Sequence, residues 1–219
     1  MVTSLKKIDK NGNYCRFPGV SVISGILDRD IDLWRRVNDC IAGSEFTRRH
    51  YSALPYESYH MTLLDLFTEN VDGGDDWEVF IQGRLPFFQA LHARLEEKKI
   101  IPELTINSVH FSSVIQLVLA LPEEQQRIIH EVAEEFGLKH KVPSVFHLTL
   151  AYQYKPLSRE DSEHIKHHTL TQINALFKSC GYKIELKSPV LSCFDDMTCF
   201  YPWHGDYYPF NTAHSTPGI

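Results

Sequence analysis

Two short stretches of the chain repeat one pattern, in which an aromatic residue is followed by His-x-Thr and then by Leu. The first is Tyr-His-Met-Thr-Leu at residues 59–63, and the second is Phe-His-Leu-Thr-Leu at residues 146–150. Both belong to apolar runs of the kind that forms β-strands. Because side chains two positions apart on a strand share a face, each stretch places an imidazole beside a hydroxyl on one side of a sheet.

A single His-x-Thr carries little functional information, because a His beside a β-branched residue on a strand is usually a packing residue. Two copies in matching surroundings indicate instead two imidazoles and two hydroxyls that converge on one small anionic group. The candidate residues are His60, Thr62, His147 and Thr149.

The elements around the two stretches also repeat. Each half of the chain is predicted as a strand, a helix, a His-x-Thr strand, a helix and a final strand. The predicted strands cover residues 20–27, 59–67, 103–109, 114–121, 145–152, 181–190 and 197–201. The predicted helices run from 28 or 30 to 43, from 86 to 99, from 122 to 137 and from 158 to 178, and loops are expected at 44–57 and 68–76.

This order of elements indicates one bilobal domain that arose by an old duplication. We expect a single domain over residues 1–219, with lobe-forming repeats at about 18–110 and 112–201, a loosely held leader at 1–16 and a C-terminal tail at 202–219. Pairing of the halves about a pseudo-twofold axis would make the two histidines face each other across a cleft.

The composition limits the kinds of partner that the chain can bind. A net charge of −6 counts against an extended nucleic-acid surface, which would normally show a basic excess. A nucleotide or the end of an RNA strand could still bind in a local groove. The five cysteines have no Cys-x-x-Cys spacing, which favours free thiols in a reducing compartment.

The location of the protein is predicted from what the sequence lacks. Residues 114–121 are the most apolar run and are far too short to span a membrane. Residues 1–14 are polar and lack the apolar core of a signal peptide. We therefore expect a soluble, cytoplasmic monomer without a membrane partner.

Two imidazoles suit the cleavage of a phosphodiester or a cyclic phosphate. One group has to take a proton from the attacking oxygen, and another has to give one to the leaving oxygen. Imidazole titrates near pH ~6.5, so one neutral and one protonated ring can coexist close to neutral pH. Threonine hydroxyls can hydrogen-bond the non-bridging oxygens as charge builds up. This chemistry needs no metal and no other cofactor, and it predicts a bell-shaped dependence of rate on pH.

The paired motifs and the duplicated order resemble the 2H phosphoesterase superfamily. More closely, residues 58–62, 146–152 and 194–197 are similar to a branch known mainly as a domain of unknown function. The resemblance implies an α+β, bilobal fold in which two pseudo-twofold-related lobes line a central groove with antiparallel sheets and carry helices outside. It also implies catalytic roles for His60 and His147 and a phosphate-binding role for Thr62 and Thr149.

We therefore expect a metal-independent hydrolase that acts on a 2′,3′-cyclic phosphate or a 2′,5′-phosphodiester in a nucleotide or short RNA. The two histidines would serve as general acid and general base, and the near-identical motifs do not say which is which. The alternative is a sensor or sequestering module that binds a nucleotide or oligonucleotide in the same groove without turnover. Titrating groups favour turnover, because binding alone could use Arg or Lys.

Other features of the sequence have weaker functional interpretations. His164, His167 and His168 have helical spacing and could ligate a metal, but a solvated helix face is the simpler interpretation. Residues 48–50, Arg-Arg-His, could contact an anionic substrate or could simply be solvated. The aromatic tail at 200–210 could be a flap that stacks a base or a strap over apolar surface, and we favour the strap.

The aromatic residues beside the two motifs are predicted from strand alternation. It turns Tyr59 and Phe146 away from the groove and into the core. Alternation also turns Tyr152 away from the groove, unless the strand ends before that residue.

Overall fold

The structure is a computed structural model that describes residues 7–74 and 76–210. Its strands are β1 (Gly19–Gly25), β2 (Tyr51–Ala53), β3 (His60–Thr68), β4 (Glu103–Phe111), β5 (Val114–Ala120), β6 (His147–Gln153), β7 (Lys183–Glu185), β8 (Val190–Phe194) and β9 (Tyr201–Pro202). Its helices are α1 (Ile31–Ala42), α2 (Glu45–Arg48), α3 (Glu69–Asp72), α4 (Trp77–Gln82), α5 (Leu85–Lys98), α6 (Glu123–Glu135), α7 (Arg159–Ile165) and α8 (Thr171–Ser179), with a π-helical turn at Lys166–Leu170 between the last two. Short 3-10 turns occur at Asp28–Asp30, Tyr56–Ser58 and Lys139–Lys141.

The described strands form one antiparallel sheet in the order β7-β4-β5-β6-β3-β1-β8-β9, with β2 beside β6. Helices pack against this sheet, so the predicted α+β class is confirmed. The two His-x-Thr strands are neighbours at its middle, as the duplication predicts. They share a single register pair, Met61 with Leu148, so the sheet opens between its two halves at that point.

The two halves of the chain exchange one long strand each. Strand β4 is the last strand of the first half along the chain but pairs with β5 of the second. Strand β8 comes late in the second half but pairs with β1 of the first. Each half of the sheet is therefore completed by a strand from the other half of the chain. The division into repeats at 18–110 and 112–201 stays a prediction.

The long helices form where the apolar spacing predicts them. Helix α1 buries Trp34, Val37 and Ile41, which recur at helical intervals. The Trp34 ring meets Tyr59 edge-on with ring centres 6.0 Å apart, which fixes the helix over the first His-x-Thr strand. Helix α6 ends as predicted, because Gly137 adopts a left-handed conformation with φ of +69° that L side chains rarely adopt.

Two of the predicted loops contain short elements. Residues 44–57 include α2 and β2, and Ser44 caps α2 by accepting a hydrogen bond from the Thr47 N–H at 3.2 Å. Residues 68–76 include α3, and helix α4 comes directly after them. The sequence predicted neither helix. These elements are only a few residues long, too short to show a hydrophobic period.

The last two predicted strands are wrong in position. Residues 181–190 contain only the three-residue β7 and the first residue of β8. Pro189 separates them, because proline has no N–H to donate to a sheet. Residues 195–198 form a turn in which the Asp196 carboxylate accepts from the Thr198 N–H at 2.7 Å, so only Tyr201 of the predicted strand 197–201 is in β9.

The described part of the predicted leader packs on the fold. A short hairpin pairs Ile8 with Tyr14, and Ile8 is buried. The Tyr14 hydroxyl donates to the Ser52 carbonyl oxygen at 2.8 Å, which ties the hairpin to β2. Residues 1–6 of the leader and 211–219 of the tail lie outside the described residues. No helix among the described residues is long and apolar enough to cross a membrane.

Candidate active site

A cavity of about 680 Å³ lies where the two His-x-Thr strands part, and His60, Thr62, His147 and Thr149 all line it. The structure thus brings together the four residues that the sequence singles out. Cavities of ~300–1,000 Å³ are typical of sites for small ligands. The catalytic and phosphate-binding roles of these residues stay predictions.

The two imidazoles are held in the same way. His60 Nδ1 lies 2.7 Å from the Ser58 carbonyl oxygen, and His147 Nδ1 lies 3.0 Å from the Val145 carbonyl oxygen. A carbonyl oxygen can only accept, so each Nδ1 carries the proton and donates it to the residue two positions earlier. Each ring therefore keeps Nε2 available for a ligand in the cavity.

His60 lies in a drier environment than the sequence alone suggests. The ring of Phe200 packs on it with ring centres 4.1 Å apart. Desolvation lowers the pKa of His60, the hydrogen bond to Ser58 raises it, and the nearby charges of Lys7 and His147 lower it again, so that the pKa of His60 is lowered to about 4 in all. His60 is therefore neutral near pH 7, and its Nε2 can accept a proton.

Both His-x-Thr strands carry a β-bulge at the leucine that follows the threonine. Consecutive residues of β1 pair with Thr62 and Leu64, so Leu63 between them is an extra residue. The register of β5 and β6 skips Leu150 in the same way. Bulges of this kind redirect the side chains that come after them.

The bulges change which later residues face the cavity. The third residue after each threonine lines the cavity, namely Asp65 in β3 and Tyr152 in β6. In a strand with regular alternation, the second and fourth residues after the threonine would face the cavity instead. The prediction that Tyr152 turns away from the groove is therefore wrong. Tyr59 and Phe146 come before the bulges and are buried outside this cavity, which confirms their predicted place in the core.

Two lysines that the sequence did not single out also line the cavity. Lys7 Nζ lies 5.2 Å from the centre of the Phe17 ring and 5.6 Å from that of Tyr152. Lys141 Nζ lies 5.1 Å from the Phe67 ring centre and 3.8 Å from the Asp72 carboxylate. An anion in the cavity would thus meet the ammonium group of Lys7 and that of Lys141, the second of which Asp72 already partly neutralises.

The sequence contains a signal for the position of Lys7. Residues 9–13 read Asp-Lys-Asn-Gly-Asn, and Asn-Gly between two apolar residues is a strong hairpin signal. The apolar residues are Ile8 and Tyr14, which pair in the structure. Lys7 immediately precedes this pair, so the hairpin fixes it against the groove.

The other charged candidates lie outside the cavity. Arg49 forms an ion pair with Glu45, and His50 Nε2 lies 3.3 Å from the Asp161 carboxylate. The ring of His164 stacks on Phe46 with centres 3.6 Å apart. Within the described ranges, no three His, Cys, Asp or Glu side chains cluster closely enough to hold a metal ion.

The described part of the aromatic tail acts mainly as a strap. Trp203 is buried against Phe88, with ring centres 4.8 Å apart, whereas Tyr201 and Tyr207 are about half exposed. Phe200 at the start of the tail is the exception, because it lines the cavity of the two His-x-Thr motifs and packs on His60.

Comparison with known proteins gives a family and a fold. The sequence model of the 2H-phosphodiest family, described as a domain of unknown function (DUF1868), matches residues 7–116, which is half of the chain. This match confirms the resemblance seen in the sequence. No curated protein sequence matches the chain.

Among solved structures, a conserved protein of unknown function from Agrobacterium tumefaciens, ATU0111, has a TM-score of 0.70 at 15% identity, over 91% of this chain and 90% of that one. The two proteins share a fold. Usb1 from Kluyveromyces marxianus aligns more loosely. Its structure with uridine monophosphate gives a TM-score of 0.42 at 12% identity over 86% of this chain and 98% of that one, and a second structure gives 0.43 at 10% over 89% and 99%.

Proposed function

The chain belongs to the 2H-phosphodiest family, and on that premise we propose that it is a metal-independent phosphoesterase. The substrate is a 2′,3′-cyclic phosphate or a 2′,5′-phosphodiester in a nucleotide or short RNA. One observation carries the proposal. Two histidines, each with Nδ1 bound to a backbone carbonyl and Nε2 available, line one cavity together with two threonines.

The surroundings of the rings suggest how the roles divide. His60 is partly buried and is neutral near pH 7, so it acts as the general base. His147, in its protonated form, then gives a proton to the leaving oxygen. Thr62 and Thr149 donate hydrogen bonds to the non-bridging oxygens of the phosphate, where negative charge grows in the transition state.

With a 2′,3′-cyclic phosphate, a water molecule loses a proton to Nε2 of His60 and its oxygen attacks phosphorus. The bond from phosphorus to one ribose oxygen breaks, and that oxygen takes the proton of His147. With a 2′,5′-phosphodiester, the neighbouring 3′-hydroxyl takes the place of the water. Lys7 and Lys141 reduce the cost of holding the anion in both reactions.

The test is a hydrolysis panel measured in the presence of EDTA. It contains the four nucleoside 2′,3′-cyclic phosphates and 2′,5′- and 3′,5′-linked dinucleotides. We expect turnover by the wild type and a loss of about 10²–10⁴-fold in kcat for both His60→Ala and His147→Ala. His130→Ala, which alters an exposed histidine of α6, is the matched control and should keep full activity.

Three outcomes would contradict the proposal. Activity that EDTA removes would point to a metal in place of the two-histidine mechanism. Activity that survives either histidine substitution would remove that residue from the chemistry. Tight binding of the same compounds without any turnover would support the alternative, a nucleotide-binding module.

A further inference from the structure

The cavity that the two histidines and two threonines line is called the catalytic cavity here. A second cavity of about 430 Å³ adjoins it, and His60 and Phe200 line both. We call this second cavity the side pocket. Ser21 of strand β1 lines the catalytic cavity, and Gly25 of the same strand lines the side pocket. Residues 21 and 25 lie on the same face of the strand, because side chains on a strand alternate between its two faces. The two cavities therefore lie along one face of the sheet, and the Phe200 ring stands between them.

Gly25 leaves room for a ligand in the side pocket. A Cβ atom built at this position would meet no other atom within 4 Å, so the space in front of it is open. Its φ lies outside the left-handed region, so the backbone does not require glycine there. Glycine within a strand often marks a place where a ligand approaches closely.

Ser192 supplies an independent sign of a ligand. Its side chain lines the side pocket and is only 1% exposed. Its hydroxyl has no hydrogen-bond partner among the described residues. Buried polar groups are nearly always hydrogen-bonded, so an unpaired hydroxyl in the wall of a cavity is a candidate partner for a group that the cavity receives.

The walls of the side pocket indicate what kind of group this is. Ile23, Ile26 and Val190 provide apolar surface, and Tyr56 provides an aromatic ring. Lys187 also lines the pocket but is already paired with Asp28 at 2.7 Å, and Glu57 adds a second carboxylate, so the pocket is not a ready site for a second phosphate. An uncharged, mostly apolar group with a hydrogen-bonding edge fits these walls, and a nucleoside has these properties.

We propose that the side pocket binds the nucleoside that carries the attacking hydroxyl, so that the preferred substrate is a 2′,5′-linked dinucleoside phosphate. This inference rests on the proposed function and selects between its two substrate classes. The phosphate lies among the histidines and threonines, and the leaving nucleoside lies in the catalytic cavity. A 2′,3′-cyclic phosphate that is attacked by water beside His60 keeps its only nucleoside in the catalytic cavity and leaves the side pocket empty.

The reaction of the dinucleoside phosphate balances without a co-reactant. The 3′-hydroxyl of the nucleoside in the side pocket gives its proton to Nε2 of His60, and its oxygen bonds to phosphorus. The bond from phosphorus to the 5′-oxygen of the other nucleoside breaks, and that oxygen takes the proton of His147. The products are a nucleoside 2′,3′-cyclic phosphate and a nucleoside with a free 5′-hydroxyl.

The test compares a 2′,5′-linked dinucleoside phosphate with a nucleoside 2′,3′-cyclic phosphate in four proteins. These are the wild type, Gly25→Val, Ser192→Ala and Ser24→Ala. Gly25→Val fills the open space with a residue that favours strands, so it should fold. Ser24→Ala is the matched control for Ser192→Ala, because Ser24 is also a buried strand serine without a partner among the described residues but lies outside the side pocket.

We expect Gly25→Val to lower kcat/KM for the dinucleoside phosphate by about tenfold or more. Ser192→Ala should raise KM for the same compound several-fold, while Ser24→Ala matches the wild type. Any turnover of the cyclic phosphate should be unchanged in all four proteins. Equal losses on both compounds, or no loss on the dinucleoside phosphate, would overturn the assignment of the side pocket. A wild type that turns over neither compound would overturn the proposed function instead.

Discussion

His60 and His147 have the same neighbours along the chain and the same backbone hydrogen bond, but they differ in what packs on them. Phe200 covers the ring of His60, and the charge of Lys7 acts on it. Two equivalent positions thus become one imidazole that is neutral near pH 7 and one that lies in a more exposed setting. A duplicated site needs such a difference to act as an acid–base pair.

The lowered pKa of His60 predicts the acid limb of the pH profile. Because its pKa is lowered to about 4, His60 stays neutral from about pH 4 upwards, where an ordinary histidine would be protonated below ~6.5. The acid limb of kcat/KM should therefore fall near pH 4. Phe200→Ala lets water reach the ring, raises the pKa of His60 and should move this limb towards pH ~6.5.

Profiles of kcat/KM between pH 3.5 and about 9 would measure this shift. Tyr201→Ala is the matched control, because Tyr201 is the next aromatic residue but is half exposed and lies outside both cavities. Coincident acid limbs for wild type and Phe200→Ala would contradict the role given to the Phe200 ring.

Lys7 should contribute to turnover without contributing to stability. Its ammonium group is held near two aromatic rings at the cavity, where it can face an anionic substrate. We expect Lys7→Gln to lower kcat/KM by about tenfold, with an unchanged melting temperature, and to reduce the salt dependence of kcat/KM. Lys10→Gln, in the exposed turn of the same hairpin, should have neither effect. Equal values of kcat/KM for the two variants would remove Lys7 from the site.

At the scale of elements, the sequence predicts features that a single segment determines, such as its helical or strand period. It misses features that arise only when two strands pair. Both His-x-Thr strands and the long helices are where the apolar period places them. The bulges at Leu63 and Leu150 arise from register with β1 and β5, and no pattern within β3 or β6 reveals them. The four paired positions were therefore predictable, whereas Asp65 and Tyr152 were not.

Strand β8 could not be predicted from the sequence either. Residues 191–194 are all buried, so the strand has no alternation between apolar and polar residues to detect. Contacts that only the folded chain creates are also not predictable from the sequence. Phe200 reaches His60 because the turn after β8 returns the chain along the sheet, and the sequence indicates only that the tail is aromatic.

At the scale of the whole molecule, the exchange of strands joins the two halves into one sheet. The proposed catalytic residues lie on β3 and β6, which share only one register pair, so their relative position is not fixed by the pairing of these two strands alone. It also depends on β4 and β8, because each of these strands pairs with a strand from the other half of the chain. A groove between two halves can keep its geometry when neither half folds without the other.

This exchange predicts that the protein unfolds in one cooperative step. Leu104 on β4 and Leu191 on β8 are buried in opposite halves of the sheet, and truncation of either should cost about 2–5 kcal/mol of stability. In urea, Leu104→Ala and Leu191→Ala should each lower the midpoint of a single transition. Far-ultraviolet circular dichroism and tryptophan fluorescence should give the same midpoint, because the Trp34 ring packs against α8 and the Trp203 ring against α5 of one folding unit. If each variant instead shifted a separate transition, the halves would be independent folding units, and the strand exchange would not be what holds the two histidines in place.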